Sequence, residues 1–533
     1  MTSLRSLRRR QLLAATALPL VAPMTLAAPA APTQRRIVLD LAEAKQPLDR
    51  FFDHCVGADY PGTTYRPDAL AQLKTAVDEL GFRYLRFHAI FHDVFKTVTR
   101  DAAGKLVFDF TGIDKLYDAM LERRIKPFIE LGFTPLALKT SDLKIFYWAG
   151  NTSHPEPTGW VALIDAFTRH LLQRYGEKEV RSWYFEVWNE PNLDGFWEKA
   201  DKQAYFDLYT RTAKAIKAID PQLRVGGPST AGAAWVPEFL AHAKVTDTPV
   251  DFITTHTYGV DEGYLDEFGK EDRMLSKSPD AIVGDVRRVR KEIEASHLPG
   301  IPLFFTEWSS SYNPRDLVHD SYMSAPYVLT KLKASQGLAQ HMSYWVYSDL
   351  FEEPGPPDAP FHGGFGMMTR EGIRKPVWFS YKYLAALARL DGKEILSSDE
   401  FSWAATNGEQ VQALVWDWRL PDQKASNRSF FGKPQPSRAV GTATVELRHL
   451  PPGRYQLTQH RTGYEVNDAH TAYLKMGSPK NLDAKQLATL NGLTTDKPEL
   501  QRELRVGANG SATVTLKLRS HDVVHLSLKR VGA

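Results

Sequence analysis

Two glutamates, each near the end of an apolar segment typical of a buried strand, are the residues most able to do chemistry. Glu190 lies in the segment 183–191, WYFEVWNEP, and Glu307 lies in the segment 301–308, IPLFFTEW. A buried carboxylate is costly to desolvate unless something uses it. Two of them at equivalent places on two strands fit the paired carboxyl groups that hydrolyse glycosidic bonds.

The neighbours of the two glutamates predict different roles for them. Glycosidic cleavage needs one protonated carboxyl group for the leaving oxygen and one ionised group that attacks the anomeric carbon. Glu190 is held beside Trp188 and Pro191, an apolar setting that raises a carboxyl pKa and favours the acid/base. Glu307 precedes the hydroxyl-rich segment 309–312, SSSY. Hydroxyl donors lower a carboxyl pKa, which favours the nucleophile.

Other interpretations of the same residues stay open. The two glutamates could instead be structural carboxylates in salt bridges with Arg83, Arg86 or Lys126. A Ser-His-Asp hydrolase could use the serines at 309–311, but the chain has no G-x-S-x-G elbow. The histidines are scattered, without HExxH or CxxC spacing, so we predict no metal and no cofactor.

The elements around the glutamates alternate between short apolar strands and amphipathic helices from residue 51 to residue 390. The predicted strands are Phe51–Gly57, Phe82–His88, Lys126–Leu131, Trp183–Asn189, Leu223–Pro228, Phe252–Tyr258, Pro302–Trp308 and Met342–Tyr347. Helices are predicted between them, among others over Asp68–Leu80, Trp160–Tyr175 and Gln203–Ile219. This alternation predicts an α/β fold, a (β/α)₈ TIM barrel.

Reactive residues gather where these predicted strands end, which is where barrel enzymes place their chemistry. They are His88, Glu130, Asn189, Glu190, His256, Tyr258, Glu307, Trp345 and Tyr347. Asn189 could hydrogen-bond a sugar hydroxyl. His256 and Tyr258 could contact the two acids or could be satisfied core residues. Trp345 could stack on a sugar ring or could belong to the core.

The two ends of the chain differ from its centre. From residue 391 to residue 533 period-two strands predict an accessory β-sandwich, with polar insertions at 421–440 and 465–500. Residues 31–50 contain a strand that could join this sandwich. The predicted sandwich strands are Gln410–Trp418, Ala443–Leu447, Tyr455–Arg461, Ser511–Lys517 and Asp522–Leu528.

Residues 1–30 have the features of an export signal. Arginines precede an apolar stretch and a small-residue cleavage site, and the segment 6–13, SLRRRQLL, resembles a twin-arginine signal. An uncleaved membrane anchor is the alternative. Without this segment the net charge falls from +3 to −1, because it carries four arginines and no acidic residue. We therefore expect a periplasmic or secreted protein without a nucleic-acid partner, and without a membrane partner after cleavage.

The motifs together closely resemble family 39 of the glycoside hydrolases, the β-xylosidases in particular. The resemblance covers residues 50–390 and rests on His54–Gly57, Gly81–Tyr84, Pro127–Phe133, Phe146–Trp148, Val187–Leu193, Val225–Pro228, the Glu307 segment, Pro314–Asp320, Ser343–Trp345 and Phe361–Gly366. It implies retaining chemistry with Glu190 as acid/base and Glu307 as nucleophile, and no cofactor. It also implies a sugar site lined by His54, Phe133, Asn189, His256, Tyr258, Trp345, Glu353 and His362.

The function expected from the residues and the resemblance is exo-acting release of xylose from short xylo-oligosaccharides. The loop from Phe351 to Gly366 carries Glu353, Phe361 and Phe365 and is expected to form a wall at one end of the cleft. The alternative is a solvent-exposed loop without a role in the site. Two departures from the family pattern, at Arg86–Ile90 and Thr255–Tyr258, lie near the predicted sugar pocket. An α-L-arabinosidase or other family-39 activity therefore stays open, as does a non-catalytic carbohydrate-binding protein.

Overall fold

The computed structural model describes residues 33–531 and contains a closed barrel of eight parallel strands. The order of the strands around the barrel follows their order in the chain. The prediction of a (β/α)₈ barrel is therefore confirmed. The barrel strands are Cys55–Ala58, Tyr84–Phe87, Lys126–Leu131, Tyr184–Val187, Arg224–Thr230, Phe252–Tyr258, Leu303–Ser309 and His341–Tyr344.

Eight helices follow these strands and cover the outside of the barrel. They are Pro67–Leu80, Thr111–Glu122, Pro157–Tyr175, Lys202–Ile219, Val236–Val245, Val283–Glu294, Ser324–Ser335 and Pro376–Ala388. The sequence determines both ends of the helix Pro67–Leu80. Proline is its first residue, and Gly81 ends it with a left-handed φ of 79°. Its buried face includes Leu70, Leu73 and Leu80, at the spacing that the sequence predicted.

An aromatic layer closes the amino-terminal end of the barrel. Its members lie within the first three residues of barrel strands and are Tyr84, Phe128, Tyr184, Phe252 and Phe304, together with Cys55. The first barrel strand begins at Cys55, not at Phe51 as expected, because Phe51 and Phe52 pack against Trp403 of the accessory domain. This end is filled by side chains, so the open site lies at the other end.

The accessory domain consists of two sheets. Thr33–Asp40 pairs in parallel with Ala439–Arg448, which pairs in antiparallel fashion with Ala512–Arg519. Apolar residues between the sheets form a second core that includes Ile37, Val445 and Leu526. The second sheet has six strands, in the order Lys393–Ile395, Ser402–Thr406, Gln410–Trp416, Val523–Arg530, Gly453–Thr462 and Leu500–Val506.

The two predicted insertions of the accessory domain contain short helices. Asn427–Phe431 lies in the first, and Ala469–Lys475 and Ala484–Gly492 lie in the second. The second insertion packs its Tyr473 against Phe361 of the loop after the eighth barrel strand. The insertion therefore supports a loop on the open end of the barrel.

The predicted export signal lies outside the described residues. Within residues 33–531, no helix combines the length and the apolar character that crossing a bilayer requires.

Candidate active site

Glu190 follows the fourth barrel strand in a strained turn. Its φ is 47° and that of Trp188 is 69°, both in the left-handed region that costs free energy for residues other than glycine. The Glu190 backbone nitrogen donates to the Ser229 carbonyl at 2.8 Å, and Trp188 Nε1 donates to the Phe196 carbonyl at 2.8 Å. These bonds hold the turn that presents the Glu190 carboxyl group to the barrel opening.

The Glu190 carboxyl group is poised to hold a proton near neutral pH. Its residue is only 9% exposed, and burial raises its pKa from 4.5 to about 7. The positive charges of His88 and Arg86 act in the opposite direction and do not cancel the effect of burial. A carboxyl group of this kind can donate a proton at neutral pH and take one back afterwards.

Glu307 lies in the seventh barrel strand, Leu303–Ser309, and both of its oxygens accept hydrogen bonds. Arg86 Nη1 donates to Oε1 at 2.7 Å, and the Tyr258 hydroxyl donates to Oε2 at 2.8 Å. Donors to the charged form stabilise a carboxylate. Glu307 is therefore held in one orientation by two donors.

The two glutamates face each other across a short gap that His256 also touches. One oxygen of each carboxyl group and one ring nitrogen of His256 lie within 4.8 Å of one another. His256 Nδ1 is 2.8 Å from Glu190 Oε1 and 3.6 Å from Glu307 Oε2. Carboxyl groups about 5–5.5 Å apart fit a retaining mechanism, whereas inverting enzymes separate them by about 6.5–9.5 Å to admit a water.

Arg86 is a fully buried guanidinium with four polar contacts within 3.1 Å and a longer one, of 3.3 Å, to Ser229 Oγ. Besides Glu307, it donates to Glu186 Oε2 at 2.5 Å and to Asn189 Oδ1 at 2.8 Å, and it lies 3.1 Å from Glu130 Oε2. The surrounding carboxylates raise the pKa of Arg86 despite its burial. A fork of fixed donors can orient several carboxylates at once, which a lysine cannot do.

The other two cations that could have neutralised the glutamates lie elsewhere. Arg83 pairs with Asp53, and Lys126 pairs with Glu179. Of the three cations considered from the sequence, only Arg86 contacts one of the two site glutamates. It pairs with Glu307 and forms no direct ion pair with Glu190.

Asn189 offers a free donor beside the two carboxyl groups. Its Oδ1 is taken by Arg86, while its buried Nδ2 has no hydrogen-bond partner. A buried unsatisfied donor costs free energy unless a ligand uses it.

His88 links two further carboxyl groups, those of Glu130 and Glu353, to the site. Its Nδ1 lies 2.7 Å from Glu130 Oε2, and its Nε2 lies 3.0 Å from Glu353 Oε1. Burial lowers the pKa of His88, but Glu130 and Glu353 outweigh it and raise that pKa well above its ordinary value. Burial raises the pKa of Glu353 to about 7, and the bond to His88 opposes this shift.

Trp345 forms the floor of the opening. Its ring lies over the Arg86 guanidinium, 5.5 Å from centroid to Cζ, and 4.7 Å from the His88 ring. A Cβ at Gly57 would come within 2.2 Å of this ring, so only glycine lets the indole pack onto the first barrel strand. Trp345 follows the eighth strand, which ends at Tyr344.

A cavity of about 540 Å³ contains these groups. Its lining comes from loops after several barrel strands, as expected for a barrel enzyme. The lining residues include His88, Asn189, Glu190, Phe196, Tyr258, Glu262, Asp285, Glu307, Tyr312, Trp345, Glu353 and Phe365.

The expectation that His54 lines the sugar site is wrong. His54 directly precedes the first barrel strand, so it lies at the closed, amino-terminal end. There its ring stacks on His341 with centroids 3.2 Å apart and on Tyr84. The histidine that does line the cavity is His88, at the end of the second strand.

His256, also expected to line the sugar site, lies outside the cavity lining but contacts Glu190. Three other aromatic residues lie outside the lining as well. Phe133 stands behind His88, with ring centroids 6.3 Å apart, so it supports the site without lining it. His362 lines a different cavity, where its Nδ1 hydrogen-bonds the Ala359 carbonyl. Phe361 packs against Tyr473 of the accessory domain. The expectations for Phe133, His362 and Phe361 are therefore corrected.

Within residues 33–531, the only group of three side chains able to hold a metal ion is Glu190, His256 and Glu307. It includes both site glutamates, and donors from Arg86 and Tyr258 already engage both Glu307 oxygens.

Sequence reasoning missed the supporting roles of Ser229 and Thr306, and it named Arg86 only as one of three possible salt-bridge partners of the glutamates. The signal for Arg86 was its position two residues before His88, on the same inward face of one strand. The barrel and its paired carboxyl groups define a glycoside hydrolase.

Comparisons with known proteins identify which glycoside hydrolases this chain is related to. The model of glycosyl hydrolases family 39 matches residues 35–512. The chain belongs to this family, and the resemblance found in its sequence is confirmed. It is 34% identical over 503 residues to a β-xylosidase of Caldicellulosiruptor saccharolyticus, covering 93% of this chain and 98% of that protein.

Two solved structures share the fold and much of the sequence. A family-39 enzyme from Xanthomonas axonopodis pv. citri is 60% identical with a TM-score of 0.92, covering 96% of this chain and 100% of that one. A monomeric β-xylosidase from Caulobacter crescentus CB15 is 61% identical with a TM-score of 0.91, covering 93% and 100%.

Proposed function

We propose that this protein is a retaining exo-β-xylosidase that releases xylose from the non-reducing end of short β-1,4-xylo-oligosaccharides or xylosides. The observation that carries the proposal is the short gap of at most 4.8 Å between one oxygen of Glu190 and one of Glu307. The similarity to proteins named β-xylosidases supports the choice of sugar.

In the first step of the proposed reaction, Glu307 Oε2 or Oε1 attacks the anomeric carbon while Glu190 donates its proton to the glycosidic oxygen. The carbon–oxygen bond breaks, the aglycone leaves as an alcohol, and an ester joins Glu307 to the sugar. In the second step the Glu190 carboxylate takes a proton from water, which attacks the same carbon and releases Glu307. Two displacements restore the original anomeric configuration.

Recognition of the sugar is assigned to the polar groups that lie beside the pair. The unpartnered Asn189 Nδ2 supplies one donor, and Glu353, hydrogen-bonded to His88, supplies acceptors for glycone hydroxyls. Trp345 offers an apolar face for the ring. Glu353, Trp345 and Phe365 come from the segment beyond the eighth strand and line the cavity. A wall built from this segment would favour a chain end over a chain middle.

The acidic lining favours a neutral sugar over a uronic acid. Glu190, Glu262, Asp285, Glu307 and Glu353 line the cavity, and among the described lining residues none is a lysine or arginine. The one cationic side chain among the described lining residues, His88, is already paired with Glu130 and Glu353, so a uronate carboxylate would be desolvated among carboxyl groups without a free cationic partner. An α-L-arabinosidase remains the second candidate, since arabinose and xylose present similar neutral hydroxyls.

The test is a panel of aryl glycosides at matched concentrations: β-xyloside, β-glucoside and α-L-arabinoside. We expect the xyloside to be cleaved fastest and the glucoside to be excluded by its hydroxymethyl group. Glu307→Ala, purified identically, controls for contaminating activity. Faster cleavage of the arabinoside or glucoside, or internal fragments from polymeric xylan, would contradict the proposal. No turnover of any glycoside would favour a carbohydrate-binding protein.

We also propose that residues 1–30 direct export through a twin-arginine-like signal. The segment 6–13, SLRRRQLL, supports this proposal. Replacing Arg8 and Arg9 with lysine should retain the protein in the cytoplasm. Unchanged export in fractionated cells would contradict it.

A further inference from the structure

Thr306, the residue before Glu307, connects two buried groups of the site. Its hydroxyl donates to Glu186 Oε1 at 2.8 Å, and His256 Nε2 lies 3.2 Å from the Thr306 hydroxyl oxygen, Oγ1. The other nitrogen of His256, Nδ1, lies 2.8 Å from Glu190 Oε1. None of the three residues Thr306, Glu186 and His256 is more than 1% exposed. A continuous chain of hydrogen bonds therefore runs from Glu186 through Thr306 and His256 to Glu190, the proposed acid/base.

The number of available hydrogens determines which group donates in each of these hydrogen bonds. The carboxylate of Glu186 accepts a bond from Arg86 Nε at 2.5 Å and can only accept from Thr306. A hydroxyl has one hydrogen, so Thr306 must accept from its other neighbour, His256. His256 therefore carries its hydrogen on Nε2.

Ser229 does not change this count. Its hydroxyl lies 3.4 Å from His256 Nε2 and accepts from Arg86 Nη2 at 3.3 Å. If Nε2 had a lone pair, the lone pair would face the closer Thr306 oxygen, which has no hydrogen left. With a hydrogen, Nε2 faces two acceptors.

Burial lowers the pKa of His256 to about 4, so near neutral pH its ring carries one hydrogen. With that hydrogen on Nε2, Nδ1 presents a lone pair to Glu190 across 2.8 Å. Only the protonated form of Glu190 can donate to this lone pair. A hydrogen bond to the neutral form of an acid raises its pKa.

We propose that Thr306 is a positioning residue: it fixes the tautomer of His256, and this tautomer keeps the catalytic proton on Glu190. The inference rests on the proposed role of Glu190 as acid/base. Once Glu190 has given up its proton, its carboxylate faces a lone pair, which favours regaining a proton from water in the second step. The charged or titratable groups that face this pair are Arg86, His88, Glu130, Glu186, Tyr258 and Glu307.

The kinetic test compares Thr306→Val, which keeps the shape but has no hydroxyl, with Thr306→Ser, which keeps the hydroxyl. In Thr306→Val, Nε2 loses its closer acceptor and keeps only the Ser229 hydroxyl at 3.4 Å, so the hydrogen can move to Nδ1 and donate to the Glu190 carboxylate. This bond favours the charged form and lowers the pKa of Glu190. The alkaline limb of kcat/KM should move to lower pH by about one unit, and Thr306→Ser should restore it. A uniform loss of activity with an unmoved limb would overturn the proposal.

The second test does not need turnover. Nitrogen NMR of ¹⁵N-histidine-labelled protein, with the His256 signals assigned by their loss in His256→Asn, reports which ring nitrogen carries the hydrogen. We expect Nε2–H in the wild type, in Thr306→Ser and in Ser229→Ala, and a shift to Nδ1–H in Thr306→Val. Nδ1–H in the wild type, or Nε2–H retained in Thr306→Val, would overturn the proposal. A normal NMR result with no glycoside cleavage would instead identify failure of the proposed function.

Discussion

Arg86 Nη1 donates to Glu307 Oε1 across 2.7 Å, and the guanidinium has no exposed surface. This bond joins the second barrel strand to the seventh through the barrel interior. The same guanidinium donates to Glu186 and to the side-chain oxygen Oδ1 of Asn189. One cation therefore orients Glu307, orients Asn189 next to Glu190, and anchors the chain of bonds through Glu186 and Thr306.

Replacing Arg86 with lysine should lower kcat/KM by at least about 100-fold while the protein stays folded. Lysine keeps the charge but cannot supply the planar fork, so only some of the four contacts survive. Initial rates with an aryl glycoside measure the loss. The matched control is Arg83→Lys, whose partner Asp53 lies away from the site, and it should keep wild-type activity. Equal activities of both variants would contradict the role given to Arg86.

Replacing Glu190 with glutamine should stabilise the protein at alkaline pH. The folded-state pKa of Glu190 is raised from 4.5 to about 7, so folding favours the protonated form. Below pH 4.5 the ionisation of Glu190 does not lower the free energy of unfolding. Between pH 4.5 and 7 it lowers this free energy progressively, and above pH 7 the loss is complete. Glutamine resembles the protonated form at every pH.

Urea unfolding at pH 8 should therefore show Glu190→Gln more stable than wild type by about 1–3 kcal/mol. At pH 4.5 the two proteins should unfold at nearly the same urea concentration. An equal difference at both pH values would show that packing, not protonation, causes it.

Lys375 should be essential for the stability of the loop that follows the eighth strand. Its Nζ lies 2.6 Å from both Asp320 Oδ1 and Asp349 Oδ2, and all three side chains are fully buried. Lys375→Met should lower the free energy of unfolding by about 3–5 kcal/mol, because it leaves buried carboxylates without a cation. Lys74→Met, which breaks an exposed pair with Asp78, should cost less than about 1 kcal/mol. Comparable losses in urea unfolding would contradict this account.

The barrel, and the position of Glu190 and Glu307 together at one end of it, could be predicted from the sequence because local pattern encodes them. Apolar strands alternate with amphipathic helices, and parallel strands bring their carboxyl ends to one side of the barrel. Glu190, Glu307, Tyr258 and Trp345 line one cavity there, and His256 contacts Glu190.

The errors arose where a contact depends on strand boundaries or on distant segments. His54 was placed inside a strand that begins one residue later, which puts the residue at the opposite end of the barrel. Phe361 and His362 lie in the predicted loop, but the helix Ala469–Lys475 packs there and draws Phe361 away from the cavity. No local pattern in the loop predicts a contact about a hundred residues away in the chain.

Azide should restore activity to Glu190→Ala on substrates with good leaving groups. Such substrates form the ester with Glu307 without an acid, and azide then attacks without needing a base. Because azide attacks the ester from the β face, the product should be the β-glycosyl azide. An α-glycosyl azide from Glu190→Ala would assign the nucleophile's role to Glu190.

The most direct test of the central claim is the configuration of the first product. Proton NMR during cleavage of an aryl β-xyloside distinguishes newly released α-xylose and β-xylose before mutarotation mixes them. With one Glu190 oxygen and one Glu307 oxygen within 4.8 Å, we predict that β-xylose forms first. If α-xylose forms first, the reaction is a single displacement by water, and the roles given to Glu190 and Glu307 are wrong.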